Sequence, residues 1–427
     1  MIFLQPPGGG RTEKYMKYGC IGEHLKHSFS KEIHNALADY DYEIREVERG
    51  ALDAFAEAKD FLAINVTIPY KELIMPHLYY IDEHAAAIGA VNTVVNRGGK
   101  LYGYNTDFYG MSMLFSHAGI KVCGKKVAIL GTGGTSKTAR EVAKALLARE
   151  ILTVSRRRGE GAVSYEDLYN LHSDTEIIIN TTPVGMFPNI LDKPVDLSSF
   201  KNLSGVIDAV YNPLRTPLIS QAISMGIPAE GGLYMLVAQA VRASEIFLDK
   251  KYPPDALDKV YKKIFLEKEN IVLVGMPASG KSTVGAMLAK LLNRDLVDTD
   301  ALIVESEGVS IPDIFASRGE KYFRDRESEA VLAASALTSV IIATGGGAIL
   351  REENVKMLKE NGRLYFIDRP LCDLVPTSDR PLSSDRDAIE KRYNERYDIY
   401  RQVSDVRIDA DCNAKEVTNR ISEDFLK

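Results

Sequence analysis

Gly275, Gly280, Lys281 and Ser282 stand in the spacing GxxxxGKS within residues 271–283, IVLVGMPASGKST. An apolar run enters the glycines and helix formers follow over 284–292, which is the order strand, loop, helix. In that order the loop's backbone N–H groups turn inward on phosphate oxygens and the helix N-terminus adds partial positive charge, while Lys281 neutralises the outer phosphates. Ser282 offers a hydroxyl to a magnesium ion, and Ala278, Ser279 and Thr283 complete the lining of an ATP site. A chance match in a glycine-rich turn is the alternative, and the flanking strand and helix argue against it.

Other residues of the second half have compatible chemistry. Asp298 and Asp300 are separated by one residue, so from an extended strand end they point the same way. One serves magnesium and the other a substrate hydroxyl; an N-cap at Asp300 is compatible with both roles. Gly345, Gly346 and Gly347 follow a buried strand over 340–344 and allow a backbone to approach a small ligand, or form a plain flexible turn. Arg324 precedes a helix containing Glu327, Arg380 lies in a polar loop, and Arg396 sits four residues before Tyr400 on a helix.

The first half carries a second phosphate-binding turn. Residues 127–130 read as a buried strand, Gly131-Thr132-Gly133-Gly134 as the tight turn, and 138 onward as helix, with Ser136 in place of the third glycine of GxGxxG. The next strand, 151–154, ends in Ser155-Arg156-Arg157-Arg158, where an NAD site offers an acid to the ribose. Guanidinium groups there bind a 2′-phosphate instead, so NADP is favoured over a merely solvated basic turn.

Around this turn, polar residues gather at strand ends: Asn65, Thr67 and Lys71 in FLAINVTIPYK, Asn92 in GAVNT, and Asp107 in GYNTD. Ser28 and Ser30 flank Phe29 before a helix, where they either cap it or face a ligand, and Lys71 taken alone is a solvated charge or a site residue. Together such clusters are what a polyhydroxylated ligand requires. Strands over 177–180 and 205–210 lead into Thr181–Met186 and Tyr211-Asn212-Pro213, and Gly231-Gly232 opens a helix carrying Gln239.

The elements that must position these residues exceed one core. A chain of 427 residues suggests roughly two or three domains, and 45% hydrophobic with 26% charged residues reads as globular. The net charge of -6 without charge blocks argues against nucleic acid as the main partner. Cys20, Cys123, Cys372 and Cys412 show no metal or disulfide spacing, and no apolar stretch has membrane-helix length. The expectation is a cytoplasmic enzyme of small molecules, without a signal peptide. Residues 1–15 read as a flexible extension, with Met16 as the functional start.

Taken in order, HSFS, NVTIPYK, GAVNT, GYNTD, GTGG, the arginine turn, NTTPVGM, DAVYNP and GLYMLVAQ resemble the shikimate dehydrogenase family over residues 16–266. The resemblance implies Lys71 and Asp107 as the catalytic pair. It places Ser28, Ser30, Thr67, Asn92 and Gln239 on shikimate, with Asn65 and Tyr211 in support. It places Gly131, Gly133, Gly134, Thr135, Ser155, Arg156, Arg157, Thr181, Met186 and Gly232 on NADP. An ammonium beside a carboxylate can deliver the proton that ketone reduction needs, or stabilise the alkoxide as a charge. His24 and Lys31 depart from the family's prolines around the serine loop.

GMPASGKST, DTD, GEKYFR, TGGG, DRPL and the arginine helix resemble shikimate kinase over residues 268–427. That resemblance implies Asp300, Arg324, Gly345, Gly346, Gly347 and Arg396 around shikimate, Lys281, Ser282 and Asp298 around ATP and magnesium, and Arg380 as the lid arginine. In-line transfer then needs alignment and charge neutralisation, and Asp300 can accept the hydroxyl proton. Val375-Pro376 stands near the family's adenine-stacking arginine.

The expected fold is α/β throughout: a two-domain dehydrogenase with a Rossmann-type NADP domain, then a P-loop kinase with a central parallel sheet. The expected boundaries are a substrate domain at 16–103 plus 239–266, an NADP domain at 104–238, a linker at 267–270 and a kinase at 271–427. The expected function is reduction of 3-dehydroshikimate with NADPH followed by phosphorylation of shikimate by ATP and Mg2+. A quinate/shikimate dehydrogenase fused to a kinase, or one half serving as a non-catalytic module, are the alternatives. No nucleic-acid or membrane partner is expected, and homo-oligomerisation is left open.

Overall fold

A computed structural model describes residues 15–23, 25, 29–156, 161–375 and 386–427, so Ser28, Arg157, Arg380 and residues 1–14 of the expected extension lie outside the described residues. The chain forms two compact units. One comprises residues up to Leu114 with Lys137–Ala145 and Met235–Val260; the other comprises Phe115–Ser136, Leu146–Tyr234 and Tyr261–Lys427.

The first unit is built on a mixed sheet of β1 (Met16–Gly22), β2 (Tyr42–Glu46), β3 (Phe61–Val66), β4 (Tyr80–Ile81), β5 (Thr93–Arg97) and β6 (Lys100–Tyr104). Its order is β2-β1-β3-β5-β6-β4. β1 lies parallel to β2 and β3, whereas β5 runs antiparallel to both β3 and β6. Gly98 and Gly99, both at positive φ, make the two-residue turn that folds β5 back on β6. Alternation sends Ile21, Ile64, Val66 and Val94 to one core and Cys20, Ala63 and Val95 to the other face, under Phe247. This pleat fixes which polar side chains meet, because Asn65 pairs in register with Thr93.

The second unit holds two parallel sheets. β7 (Lys126–Leu130), β8 (Glu150–Val154), β9 (Ala162–Val163), β10 (Ile177–Asn180), β11 (Gly205–Asp208) and β12 (Ala229–Glu230) lie in the order β12-β11-β10-β7-β8-β9. β7, β10 and β11 are buried at every residue, as strands covered on both faces are. The order reverses at β7, and that switch point is where such sheets bind ligands. β13 (Asn270–Val274), β14 (Asp295–Asp298), β15 (Val340–Ala343), β16 (Gly362–Asp368) and β17 (Val406–Asp409) form the other sheet, ordered β14-β15-β13-β16-β17.

No linker occupies residues 267–270. The helix Ala256–Lys268 ends one residue before β13, and Glu269 between them is fully buried. Its carboxylate lies 2.8 Å from Arg215 Nη2 and 2.9 Å from Arg363 Nη2. Nearby, the Leu214 N–H donates to Asn361 Oδ1 at 2.8 Å. Only the Glu269 carboxylate is fully buried, and the two partly exposed arginines compensate its charge, so the triplet ties these elements together. Spacing alone shows a short connection; the buried acid is a tertiary property.

Candidate active sites

In the first unit, β3 leads into the short helix Tyr70–Leu73 that carries Lys71, and Asp107 lies in the first turn of the helix Thr106–His117. Lys71 Nζ lies 2.6 Å from Asp107 Oδ2, with both side chains partly open to solvent. The Val91 N–H donates to the Lys71 carbonyl at 2.8 Å and holds the short helix against the strand-end loop.

Beside the pair lies a hydrogen-bonded amide network. Asn92 Oδ1 accepts from the Thr106 N–H at 2.8 Å and from Thr93 Oγ1 at 3.0 Å, and Asn92 Nδ2 donates to Gln239 Oε1 at 3.4 Å. Asn65 Nδ2 donates to the Asn92 carbonyl and to Thr93 Oγ1, both at 3.2 Å. The Tyr42 hydroxyl donates to Asn65 Oδ1 at 2.7 Å, and burial holds that phenol well above its ordinary range, so it remains a donor. Thr67 stands half-buried at the end of β3, and Ser30 opens the helix Ser30–Leu37. The helix cap is Phe29, without a side-chain cap bond, so the capping role open to Ser30 is not the one it takes. Tyr42, Thr93 and Thr106 were not singled out by sequence; Thr93 and Thr106 sit inside GAVNT and GYNTD, but Tyr42 carries no local signal.

In the second unit, Gly131 takes φ 110 at the end of β7, and a Cβ there would come 2.8 Å from Thr181 Oγ1. Only glycine fits this close approach at that backbone angle. Ser136, replacing the third glycine, is buried and donates through Oγ to the Gly131 carbonyl at 2.7 Å, so it ties the turn to the helix Gly134–Ala145. Gly133 and Gly134 border open space, and Thr135 is half-buried in the first turn of the helix. Arg156 is exposed directly beyond β8, after Ser155. Met186 is also exposed, and Gly232 packs against the Ala209 carbonyl.

Asp208, which sequence reading passed over within DAVYNP, links the two loops beyond β10 and β11. Its Oδ1 accepts from Asn180 Nδ2 at 2.9 Å and from the Val210 N–H at 3.0 Å, and its Oδ2 from Thr216 Oγ1 at 2.7 Å. Burial pushes its carboxyl up to about 7 while these donors oppose the shift. Tyr211 lies on the loop that Asp208 fixes.

The phosphate loop follows β13. Gly275 and Gly280 both adopt positive φ, as does Ala278 between them, and the helix Lys281–Leu292 starts directly after Gly280. Ser279 and Lys281 are buried, and Lys281 Nζ donates to the carbonyls of Gly275 and Met276, each at 2.9 Å. The lysine thus spans its own loop. Thr283 stands exposed in the first turn of the helix. Ser282 Oγ donates to Asp298 Oδ2 at 2.9 Å.

Asp298, rather than Asp300, caps the next helix: its Oδ1 accepts from the N–H groups of Asp300 and Ala301. Asp300 is therefore helical, in Thr299–Glu307, and not a second strand-end carboxylate. Its side chain nevertheless lies against the glycine turn. A Cβ on Gly345 would come 2.6 Å from Asp300 Oδ1 and 2.8 Å from Glu327 Oε1, so glycine lets these carboxylates close on the backbone.

Arg324 Nη1 lies 2.7 Å from Glu327 Oε2, and a Cβ on Gly347 would overlap its guanidinium. Burial of Arg324 works against its charge, yet Glu327 outweighs that and raises its pKa. Arg396 Nη1 donates to the Gly346 carbonyl at 3.0 Å, and the Tyr400 hydroxyl reaches the carbonyls of both Gly275 and Gly346, joining the phosphate loop to the glycine turn. Thr299 Oγ1 accepts from the Gly345 N–H at 3.0 Å.

Glu327 is the main residue that sequence reading left without a role. It is 1% exposed, its Oε1 has no hydrogen-bond partner among the described residues, and burial, against the opposing Arg324, raises its pKa. Its position three residues after Arg324 was the available signal.

Comparison with known proteins agrees with this fold. The family model for shikimate kinase matches residues 277–425, and that for the shikimate dehydrogenase substrate binding domain matches residues 20–94. A shikimate dehydrogenase (NADP(+)) of Clostridium perfringens is 36% identical over 264 residues, covering 58% of this chain and 97% of that protein. The crystal structure of shikimate dehydrogenase 1 from Peptoclostridium difficile is 36% identical and superposes with a TM-score of 0.53, covering 59% of this chain and 98% of that one. A chorismate mutase/shikimate 5-dehydrogenase fusion protein from Clostridium acetobutylicum is 33% identical with a TM-score of 0.55, covering 59% and 97%. The chain therefore belongs to the shikimate dehydrogenase family and continues, in the same polypeptide, into a shikimate kinase domain.

Proposed function

We propose that the chain carries out two successive steps: NADPH-dependent reduction of 3-dehydroshikimate to shikimate, and ATP-dependent phosphorylation of shikimate at its 3-hydroxyl. The observation that carries this reading is that each half holds a polar centre of its own. One is the Lys71–Asp107 pair in its amide network; the other is the phosphate loop tied by Tyr400 to the turn at Gly346.

In the first centre Asn65, Asn92 and Gln239, with Thr67, Ser28 and Ser30, hold the ring hydroxyls and carboxylate, and Tyr211 supports them. NADP(H), when bound, supplies the hydride. Lys71, oriented by Asp107, gives the proton or the charge that the new alkoxide needs. The exposed Arg156, with Arg157, supports NADP over NAD, because guanidinium groups suit a 2′-phosphate.

In the second centre Asp300 receives the hydroxyl proton while Arg324 and Arg396 grip the carboxylate, and Arg380 closes over the phosphates. Ser282 Oγ and Asp298 Oδ2 place two hard oxygens side by side, which fits magnesium. A magnesium ion held there would neutralise charge on the phosphates. The dehydrogenase is assigned to residues 16–266 and the kinase to 271–427.

A cytoplasmic location is supported by four free cysteines. Among the described residues no helix is long and apolar enough to cross a membrane.

Chelation separates the two activities. EDTA is expected to stop ATP-dependent phosphorylation and excess Mg2+ to restore it, with shikimate oxidation by NADP+ unchanged throughout. Phosphorylation that persists in EDTA contradicts the magnesium assignment.

A further inference from the structure

The sheet order of the kinase fixes which way ATP runs across it. The acceptor groups, Asp300 after β14 and Gly345 to Gly347 after β15, lie on one side of β13 and its phosphate loop. In-line transfer requires the γ-phosphate to face that side. The rest of the nucleotide therefore extends the other way, across the ends of β16 and β17.

Arg369 is the first residue beyond β16. Its backbone is anchored by Asp368, whose buried carboxylate accepts from the Tyr397 hydroxyl at 3.0 Å and pairs with Arg407 Nε at 2.8 Å, while the Asp368 carbonyl accepts from the Ala410 N–H at 2.9 Å. Arg369 Nε donates to the Ser279 carbonyl at 3.2 Å, and its Nη2 lies 3.8 Å from where a Cβ of Gly280 would stand. Among the described residues no carboxylate lies within ion-pair distance of this guanidinium. One edge is thus pinned to the phosphate loop, which keeps the guanidinium on the β16 side of β13, the side the rest of the nucleotide crosses.

We propose that Arg369 binds the adenosine end of ATP, presenting its guanidinium plane to the base. No motif in the sequence marks it, because its role follows from the position of β16 next to β13. A guanidinium that merely shaped the phosphate loop would affect every phosphate ligand alike; one that meets adenosine affects only nucleotides.

The test uses the full-length chain carrying Arg369→Gln, with calorimetric titration of ADP and, separately, of inorganic pyrophosphate, both with Mg2+. ADP affinity is expected to fall about tenfold, as for a lost stacking contact with a base, and pyrophosphate affinity less than about twofold. The dehydrogenase rate of the same preparation reports folding and stays at the wild-type value. An ADP loss no larger than the pyrophosphate loss overturns the proposal. Arg369→Lys, which keeps charge but not the plane, is expected to recover less than half of the lost ADP affinity; full recovery contradicts the stacked plane.

Discussion

Lys71→Ala lowers kcat for shikimate oxidation by about 10²–10⁴-fold, the span of a lost general acid–base group, and leaves kinase turnover at the wild-type rate. The expectation rests on the 2.6 Å contact between Lys71 and Asp107, an ion pair placed beside the Asn65, Asn92 and Gln239 amides. Stability changes little, because the pair is partly solvated and such pairs contribute about 0–1 kcal/mol. Loss of activity with an unchanged melting curve therefore reports chemistry. Lys71→Arg then separates the two roles that an ammonium can play here: it preserves the charge but does not release a proton near neutral pH. Retained turnover in that variant identifies electrostatic stabilisation; loss equal to that of alanine identifies proton transfer.

Lys281→Ala is the reciprocal case. Phosphorylation falls by about 10²–10³-fold, as when a preorganised charge is removed from a developing transition state, while dehydrogenation is unaffected. Lys281 is 5% exposed and spans the carbonyls of Gly275 and Met276, so its removal also takes one donor from each of two loop carbonyls, which keep the Tyr400 hydroxyl and the Ser279 N–H respectively. Part of the loss therefore appears as weaker ATP binding and part as slower transfer, and titration of KM for ATP against kcat divides them. Silencing of both activities by either single substitution in a folded chain contradicts two separate sites.

The parts of this account that sequence carried were those whose geometry is local. Glycines at 275, 280 and 131 need backbone angles or close approaches that only a few residues along the chain determine, and the strand-loop-helix order around them was legible for that reason. Partnerships across the sheet were not. Tyr42 on β2 reaches Asn65 on β3 past β1, a contact fixed by strand order and register. Glu327 reads as one of several acids on a helix until Gly345 brings the glycine turn against it.

Two local readings also failed on physical grounds. Asp298 rather than Asp300 became the helix cap because the strand ends at Asp298, and a one-residue shift of that boundary moves Asp300 onto the helix. The linker expected at 267–270 vanished because Glu269 finds two arginines that are distant in sequence, which turns a polar junction into a buried one. Arg369 belongs to the same class: its sequence neighbours give it no role, and its place beside the phosphate loop gives it one.

The central claim is that one polypeptide both makes shikimate and phosphorylates it. The most direct measurement supplies purified chain with 3-dehydroshikimate, NADPH, ATP and Mg2+ and follows products by mass spectrometry. Shikimate 3-phosphate is expected, with one ATP and at least one NADPH consumed per molecule formed; Lys281→Ala stops at shikimate, and Lys71→Ala leaves 3-dehydroshikimate untouched. Formation of shikimate 3-phosphate by neither the intact chain nor a mixture of the two variants contradicts the account.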